Sequence, residues 1–457
     1  SNSNIKCGSS WVRFYKTYGN QNYDYGRSIL QAENGDYTVL GFTSILGNSA
    51  NNLILKRISS IGEIIWEQEM NLSQTDKGYS LISTIDEDLI ILGEKTSVVN
   101  GSSDISLIRT NSFGIIEWEL EYGTDEDEIG RSIEQTVDGG FIISGQTVSP
   151  NTGFNFVYLL KINSQGVEEW EKSYGFAGHD HSYSVLETAD GGYFSAGFLD
   201  VTASGGAGNE NVKHGVGEFW GQKLDATGNL QWRNYFGGSN NDRSYKAIQT
   251  PDAGFLLVGF TESDDFDISS PHGSYDIWLV KLNSTGSLVW ERSFGGSGVD
   301  IAHDALMLPN GDFLIVGQTN SSDGDISDAN GDFDAFAMRV SAEGTLIWQQ
   351  NYGSTDFEFA QSITLGPSNT FFVTGNTRSA DITPSGNAGN NDIWAFQITD
   401  EGDLRWQQTW GGSGIDLGVD AVFSQDQFLY IIGSTDSPSL LSTTTLGNDD
   451  LLILRLN

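Results

Sequence analysis

An all-β ring of eight four-stranded antiparallel blades, an eight-bladed β-propeller, is what the sequence predicts, and three observations predict it. A tryptophan-bearing segment recurs at separations of 52 to 62 residues. Each recurrence carries four short stretches of alternating apolar and polar residues, bounded by Gly, Asn and Asp turns. The chain begins on a stretch of the tryptophan type and stops one stretch short of the next, so the first can complete the last blade.

The marker is Gly-x-x-x-Trp followed four residues later by an aromatic and Gly, as in TGSLVWERSFGG from Thr285 to Gly296. Its Trp stands at Trp66, Trp118, Trp170, Trp232, Trp290, Trp348 and Trp406, and Phe14 holds the same place before the first copy. Within a unit the order is constant: an aromatic-Gly turn, an acid, a strand, a turn resembling DGG, and a strand ending Gly-x-Thr. A variable loop, a strand ending in a base, a four-residue turn and the Trp strand follow. Unit six reads DIAHDALMLPNGDFLIVGQT, the loop, FDAFAMRV, SAEG and TLIWQQNYG. The opening strand, Trp11 to Tyr18, is expected to close the ring against Asp450 to Asn457, removing open sheet edges. The expected organisation is a tail over 1–10 and a single propeller domain over 11–457.

Composition narrows the function classes. With 61 Asp+Glu against 23 Lys+Arg, the net charge is −38, so nucleic acid is excluded as a partner and an anionic membrane surface is disfavoured. No apolar run is long enough for a transmembrane helix. The 56 Gly, 25 Phe, 16 Tyr and 12 Trp indicate a packed β core and not disorder. The one cysteine, Cys7, allows no intrachain disulfide. The chain opens SNSNIK without a signal peptide, so it reads as mature, with a lipidated N-terminal extension cut away as one mode of attachment.

Two residue sets repeat with the blades. Bases close the third strand at Arg57, Arg109, Lys161, Lys223, Lys281, Arg339 and Arg455, with Gln397 as the exception. Acids follow the aromatic-Gly turn at Asp24, Asp76, Glu128, Asp180, Asp242, Asp300, Glu358 and Asp416. Two readings stand for the acids: an acidic ring around the central channel, or turn caps and partners of the bases, and a residue present in every blade favours the second. The repeated Trp and the aromatic after it are expected to fill the wedge between blades.

The segment KLDATGNLQW, Lys223 to Trp232, resembles the tryptophan-docking motif of quinoprotein-like propellers. The longer unit, with its GGS, DGGF, GQT and D-x-W-x-x-K-L elements, is similar to repeats of secreted and cell-surface proteins from Bacteroidetes bacteria. The resemblance covers nearly the whole chain and implies a propeller with blade-to-blade Trp docking on a secreted or surface protein. A quinoprotein enzyme would need a bound cofactor, often with calcium and sometimes a vicinal cysteine pair. Here only Cys7 is present, and even the shorter form Asp-x-Thr-Gly is complete only at Asp225 to Gly228. Non-enzymatic scaffold propellers of the same kind fit better.

Candidate sites map to the face bearing the variable loops, which run 11 residues in units one to three, 21 in unit four and 17 in units five to eight. In SSDGDISDANGDFD, Asp328, Asn330, Asp332 and Asp334 place oxygen ligands at every second position, the spacing of a calcium loop or of an ordinary solvated acidic loop. His179 and His181, with His214 from the same unit, supply three nitrogens for a transition metal, against a reading as hydrogen-bonding surface histidines. Trp220, Trp410, His272, Asp323 and Asp325 are the ligand-binding candidates, the two Trp residues counting only if exposed. There is no GxSxG elbow, HExxH or phosphate loop. The expected function is a non-enzymatic, monomeric, extracellular or cell-surface scaffold engaging a protein or glycan, with calcium as its cofactor. The alternative is a metal-dependent hydrolase or lyase, or a degenerate quinoprotein, with its site at the channel mouth.

Overall fold

The computed structural model describes residues 12–44, 51–71, 77–97, 99, 101–176, 180–200, 217–327, 329–382, 389–425, 427–440, 443–444 and 449–456. The tail over 1–10 lies outside them. The described chain forms eight four-stranded antiparallel sheets. Blade five is typical, with strands Asp242–Gln249, Phe255–Thr261, Asp276–Leu282 and Leu288–Phe294. The first strands of successive blades lie against one another around the axis, and that of blade eight meets that of blade one. Blade eight is built from Asp416–Phe423, Leu429–Thr435 and Asp450–Leu456, with Val12–Tyr18 added antiparallel as its fourth strand. This is the expected closure. Its seam is reinforced where Tyr37 of blade one stacks on Tyr430 of blade eight, centroids 3.6 Å apart. A small hairpin, Ser439–Leu440 with Thr443–Thr444, rises from the loop of blade eight and was not expected from the sequence. No helix among the described residues is long and apolar enough to cross a membrane.

Second and third strands are covered on both faces by neighbouring blades, so they read as apolar runs and are mostly buried, along their whole length in FLLVGFT and DIWLVKL. Eight apolar clusters result, most of them bridging adjacent blades. Trp220 and Trp410, candidates for a ligand platform, are core residues at 0% and 2% exposure. The reason is register: Trp220 pairs with Gly197 and Tyr235 inside blade four, and Trp410 ends the fourth strand of blade seven against blade eight.

The repeated Trp of one blade docks on the third-to-fourth turn of the next. Trp232 Nε1 donates to Ser284 O at 3.0 Å, Trp290 Nε1 to Ala342 O at 3.1 Å and Trp348 Nε1 to Asp400 O at 2.9 Å. The aromatic four residues later reaches the same turn, as when Tyr352 donates to Gly402 O at 2.6 Å. Asn283 shapes the turn of blade five by accepting from Thr285 N and Ser287 N. Gly286 takes φ +81° there, and a Cβ on it would lie 2.4 Å from the Trp232 ring. Gly286→Ala is therefore expected to cost about 2–3 kcal/mol, from left-handed backbone strain and displacement of the docked indole. A urea midpoint matching wild type would show that the turn yields without loss.

The bases at the ends of third strands pair with the turn between first and second strands of their own blade. Lys161 meets Asp138 at 3.0 Å, Lys223 meets Asp190 at 2.9 Å, Lys281 meets Asp252 at 2.9 Å and Arg339 meets Asp312 at 2.7 Å. Gln397 instead donates to Thr370 Oγ1 at 2.7 Å. Asp76 lies outside the described residues, and among those described the acids after the aromatic-Gly turn take no part in this. They cap their own turn: Gly238 N donates to Asp242 at 2.8 Å, Gly296 N to Asp300 at 2.9 Å and Gly412 N to Asp416 at 2.9 Å. Capping holds and pairing with the bases does not, because the two sets sit at opposite ends of the blade.

Candidate functional site

Each first strand slips register against its second strand at one point, for example between Gly26 and Ser28, Ser182 and Ser184, or Ala302 and Asp304. The extra residue is a β-bulge, which re-aims a side chain. Opposite it stands the glycine of Gly-x-Thr: a Cβ on Gly259 would meet Arg243 O at 1.8 Å, and one on Gly317 would meet Ile301 O at 1.9 Å. The bulged residues, in blade order, are Arg27, Tyr79, Arg131, Tyr183, Tyr245, His303, Gln361 and Val419. This belt varies from blade to blade while its surroundings repeat, and counting three positions past each repeated acid would have located it in the sequence.

Tyr183, Tyr245, His303, Gln361 and Val419 of this belt line the central channel. Arg131 lies over the Tyr183 ring at 5.8 Å, Tyr183 meets Tyr245 edge-on at 5.8 Å, and Tyr245 stacks with His303 at 6.2 Å. A cavity of about 500 Å³ runs beside these rings and is walled further by Ser132, Ser184, Lys246, Asp304, Ser362 and Asp420. Lys246 is ion-paired with Asp304 at 2.9 Å. Asp304 also accepts from Ile363 N at 3.1 Å, and Asp420 accepts from Ile29 N at 3.1 Å, each carboxylate tying its blade to the next. Burial pushes the Asp420 carboxyl up and the His303 imidazole down from their usual ranges.

At the loop face, the long loops are clasped onto the preceding turn. Ser239 N donates to Asp265 Oδ1 at 2.7 Å, Ser297 N to Asp323 Oδ1 at 2.6 Å, and Thr355 Oγ1 to Asp381 Oδ1 at 2.8 Å. Serines of the same T-x-S-x-D pattern, Ser263 and Ser321, donate to Asp242 at 2.9 Å and to Asp300 at 2.8 Å. Asp323 is thus an exposed residue with a structural hydrogen bond. Asp325 and His272 are brought together from adjacent blades, with Asp325 Oδ2 at 3.4 Å from His272 Nε2.

The calcium and histidine candidates are only partly visible. Asp328, His179 and His214 lie outside the described residues. Asn330 and Asp332 are exposed, whereas Asp334 is buried at 1% and accepts from Asn330 N at 2.8 Å. His181 packs between the rings of Tyr183 and Phe198. Among the described residues no three His, Cys, Asp or Glu side chains converge as a metal site.

Acids do meet in pairs at the joints. A Cβ on Gly295 would touch Asp276 Oδ1 at 2.5 Å and Asp300 Oδ2 at 2.7 Å, and one on Gly353 would touch Asp334 Oδ1 at 2.3 Å and Glu358 Oε2 at 2.9 Å. The glycine of the aromatic-Gly turn is required because two carboxyls occupy the space a side chain would need. Burial, and secondarily the Glu358 charge, raise the Asp334 carboxyl to about 6 against the donor Asn330 N. Burial, and secondarily Asp200, raise Asp180 to about 7. Asp276 and Asp300 shift upward for the same first reason.

No protein-family model matches the chain, and no curated protein matches it. Solved structures give distant likenesses. A eukaryotic initiation factor is 10% identical, with a TM-score of 0.43, covering 90% of this chain and 84% of that one. The β-propeller domain of the Trilobed protease from Pyrococcus furiosus, titled as having an open velcro topology, is 6% identical, with a TM-score of 0.43, covering 84% and 94%. Puromycin hydrolase is 8% identical, with a TM-score of 0.41, covering 78% of this chain and 50% of that one. At these values the likenesses carry nothing about activity, and the propeller assignment rests on the strands themselves.

Proposed function

We propose that the chain is a non-enzymatic extracellular or cell-surface binding propeller that engages a protein or glycan through the long-loop face of blades four to eight. The observation that carries this reading is the clasp: Asp265, Asp323 and Asp381 pin long loops to neighbouring turns, so an enlarged and acidic surface is held in one shape before any partner arrives. Preorganised loops lose little entropy on binding. The surface location is supported by the resemblance of the repeat to secreted and cell-surface units. Calcium at Asn330, Asp332 and Asp334 belongs to the same proposal and is tested by metal content after a calcium soak and dialysis.

The test uses the immobilised chain, presented with cell-envelope proteins and a polysaccharide panel. At least one species should be retained, and retention should fall tenfold or more in the double variant His272→Ala with Asp325→Ala. The urea midpoint should stay unchanged, because both residues are on the surface. Retention indifferent to that variant, and to exchange of the blade-six loop for the short loop of blade three, would remove the loop face as the binding surface.

A further inference from the structure

One seam of the ring carries cations where its counterpart carries none. The groove of about 260 Å³ between blades three and four is walled by Lys172, Tyr174, Asn229 and Arg233, and no acid lines it. The groove of about 300 Å³ between blades six and seven presents Gln350, Tyr352, Asp403 and Gln407 at the same positions of the repeat. The groove therefore belongs to the architecture, and its charge belongs to this seam. In a chain with 23 bases against 61 acids, two bases and no acid around one hollow is a local reversal of sign.

Arg233 follows the repeated Trp, at the position held by Glu67, Glu119, Glu171 and Glu291 in blades one, two, three and five. Those glutamates are engaged close by: Glu67 pairs with Lys56 at 2.6 Å, and Glu171 accepts from Tyr158 at 2.6 Å. Opposite Arg233 on the third strand stands Gln222, where blades two, three, five, six and seven have Ile108, Leu160, Val280, Met338 and Phe396. Gln222 is buried at 2%, and its Oε1 accepts from Arg233 Nε at 3.0 Å and Nη2 at 2.7 Å. The guanidinium carbon lies 3.2 Å from the centre of the Tyr174 ring. Tyr174 pairs with the Tyr235 hydroxyl, whereas Tyr122 and Tyr352 reach the turn carbonyls of their seams. An amide oxygen and an aromatic face orient a guanidinium without cancelling its charge. Neither Arg233 nor the exposed Lys172 has an acidic partner among the described residues.

We propose that this groove binds a dianionic phosphate group, free or as the monoester of a small molecule, between the Arg233 guanidinium and the Lys172 ammonium. Gln222 occupies the Nε side of the guanidinium and leaves Nη1 to donate to a phosphate oxygen, while Lys172 adds a mobile point charge. Two positive charges without a counter-acid are balanced by a dianion and only half balanced by a carboxylate. The groove adjoins the third-to-fourth turn of blade four, at Gly228 and Asn229, so it is separate from the loop face and does not rest on it.

Phosphorus NMR titration of the full chain at low salt and pH 8, where a phosphate monoester carries a charge of about −2, tests the assignment with inorganic phosphate and glucose 6-phosphate as probes. Saturable binding is expected, with acetate at equal concentration failing to compete. Tighter binding of glucose 6-phosphate identifies an ester as the ligand, and equal or weaker binding identifies the free ion. Arg233→Glu, which installs the residue of blades one, two, three and five, should weaken binding at least tenfold. Lys172→Gln, a change at an exposed side chain that leaves the urea midpoint in place, should weaken it at least threefold. The His272→Ala with Asp325→Ala variant should bind undiminished, which separates this groove from the loop face. Displacement by equal acetate, binding unchanged in both the Arg233 and Lys172 variants, or no saturation by either probe at tens of millimolar would each overturn the proposal.

Discussion

Asp300→Ala is expected to destabilise the propeller by about 3–5 kcal/mol, read as a lower urea midpoint with an unchanged slope. The carboxylate is fully buried. It accepts from Thr319 Oγ1, from Gly296 N at 2.9 Å and from Ser321 Oγ at 2.8 Å, joining first strand, second strand and turn at one point. Alanine leaves all three donors in a dry joint, each costing about 1–3 kcal/mol before relaxation. Asp300→Asn should cost less, because the amide oxygen still accepts and the repulsion from Asp276 is removed. A loss under about 1 kcal/mol for the alanine variant would mean that solvent or a neighbour satisfies the donors.

Stability should also fall as pH rises from about 5 to about 7. An acid whose folded pKa is raised binds its proton more tightly in the folded state. Its contribution is fully present below the unfolded pKa of 3.8 and is lost as pH climbs through the folded value, about 6 for Asp334 and about 7 for Asp180. Asp190 and Asp252 act oppositely. Against a burial cost, hydrogen bonds from Thr188 and Thr250 and then the lysine partners bring them to about 2, so their contribution is present above 3.8 and lost only below that, outside this window. Each pK unit is about 1.4 kcal/mol, and about one unit for Asp334 and two for Asp180 lie above pH 5, so the decline should be on the order of 4 kcal/mol. Urea midpoints in chelator across pH 5 to 8 measure it. Asp334→Asn should flatten part of the slope, and a flat or rising wild-type profile would show that the joint acids are not strained.

Much of the fold is legible in the chain because its signals are local. Strand alternation, the Asn and Asp turns, the Gly after each turn and the eightfold recurrence of the Trp segment all act within one unit, and together they set blade number, strand order and the closing strand. The role of the repeated Trp as a blade-to-blade contact is legible too, since a large side chain on every outer strand needs a neighbouring surface. The candidate site is less so.

Tertiary structure alone decided which side chains meet. Register across strands put Trp220 and Trp410 in the core, sent the third-strand bases to the DGG-type turns, and left the acids of the described residues, all but Asp76, as caps, some of them set back to back with third-strand acids such as Asp276 and Asp334. It also paired His272 with Asp325 and brought Tyr183, Tyr245 and His303 to the channel wall at bulges. A bulge is a mismatch between two strands, and a joint is a contact between two blades. Neither exists in a single unit, so neither is written in the period that predicts the ring.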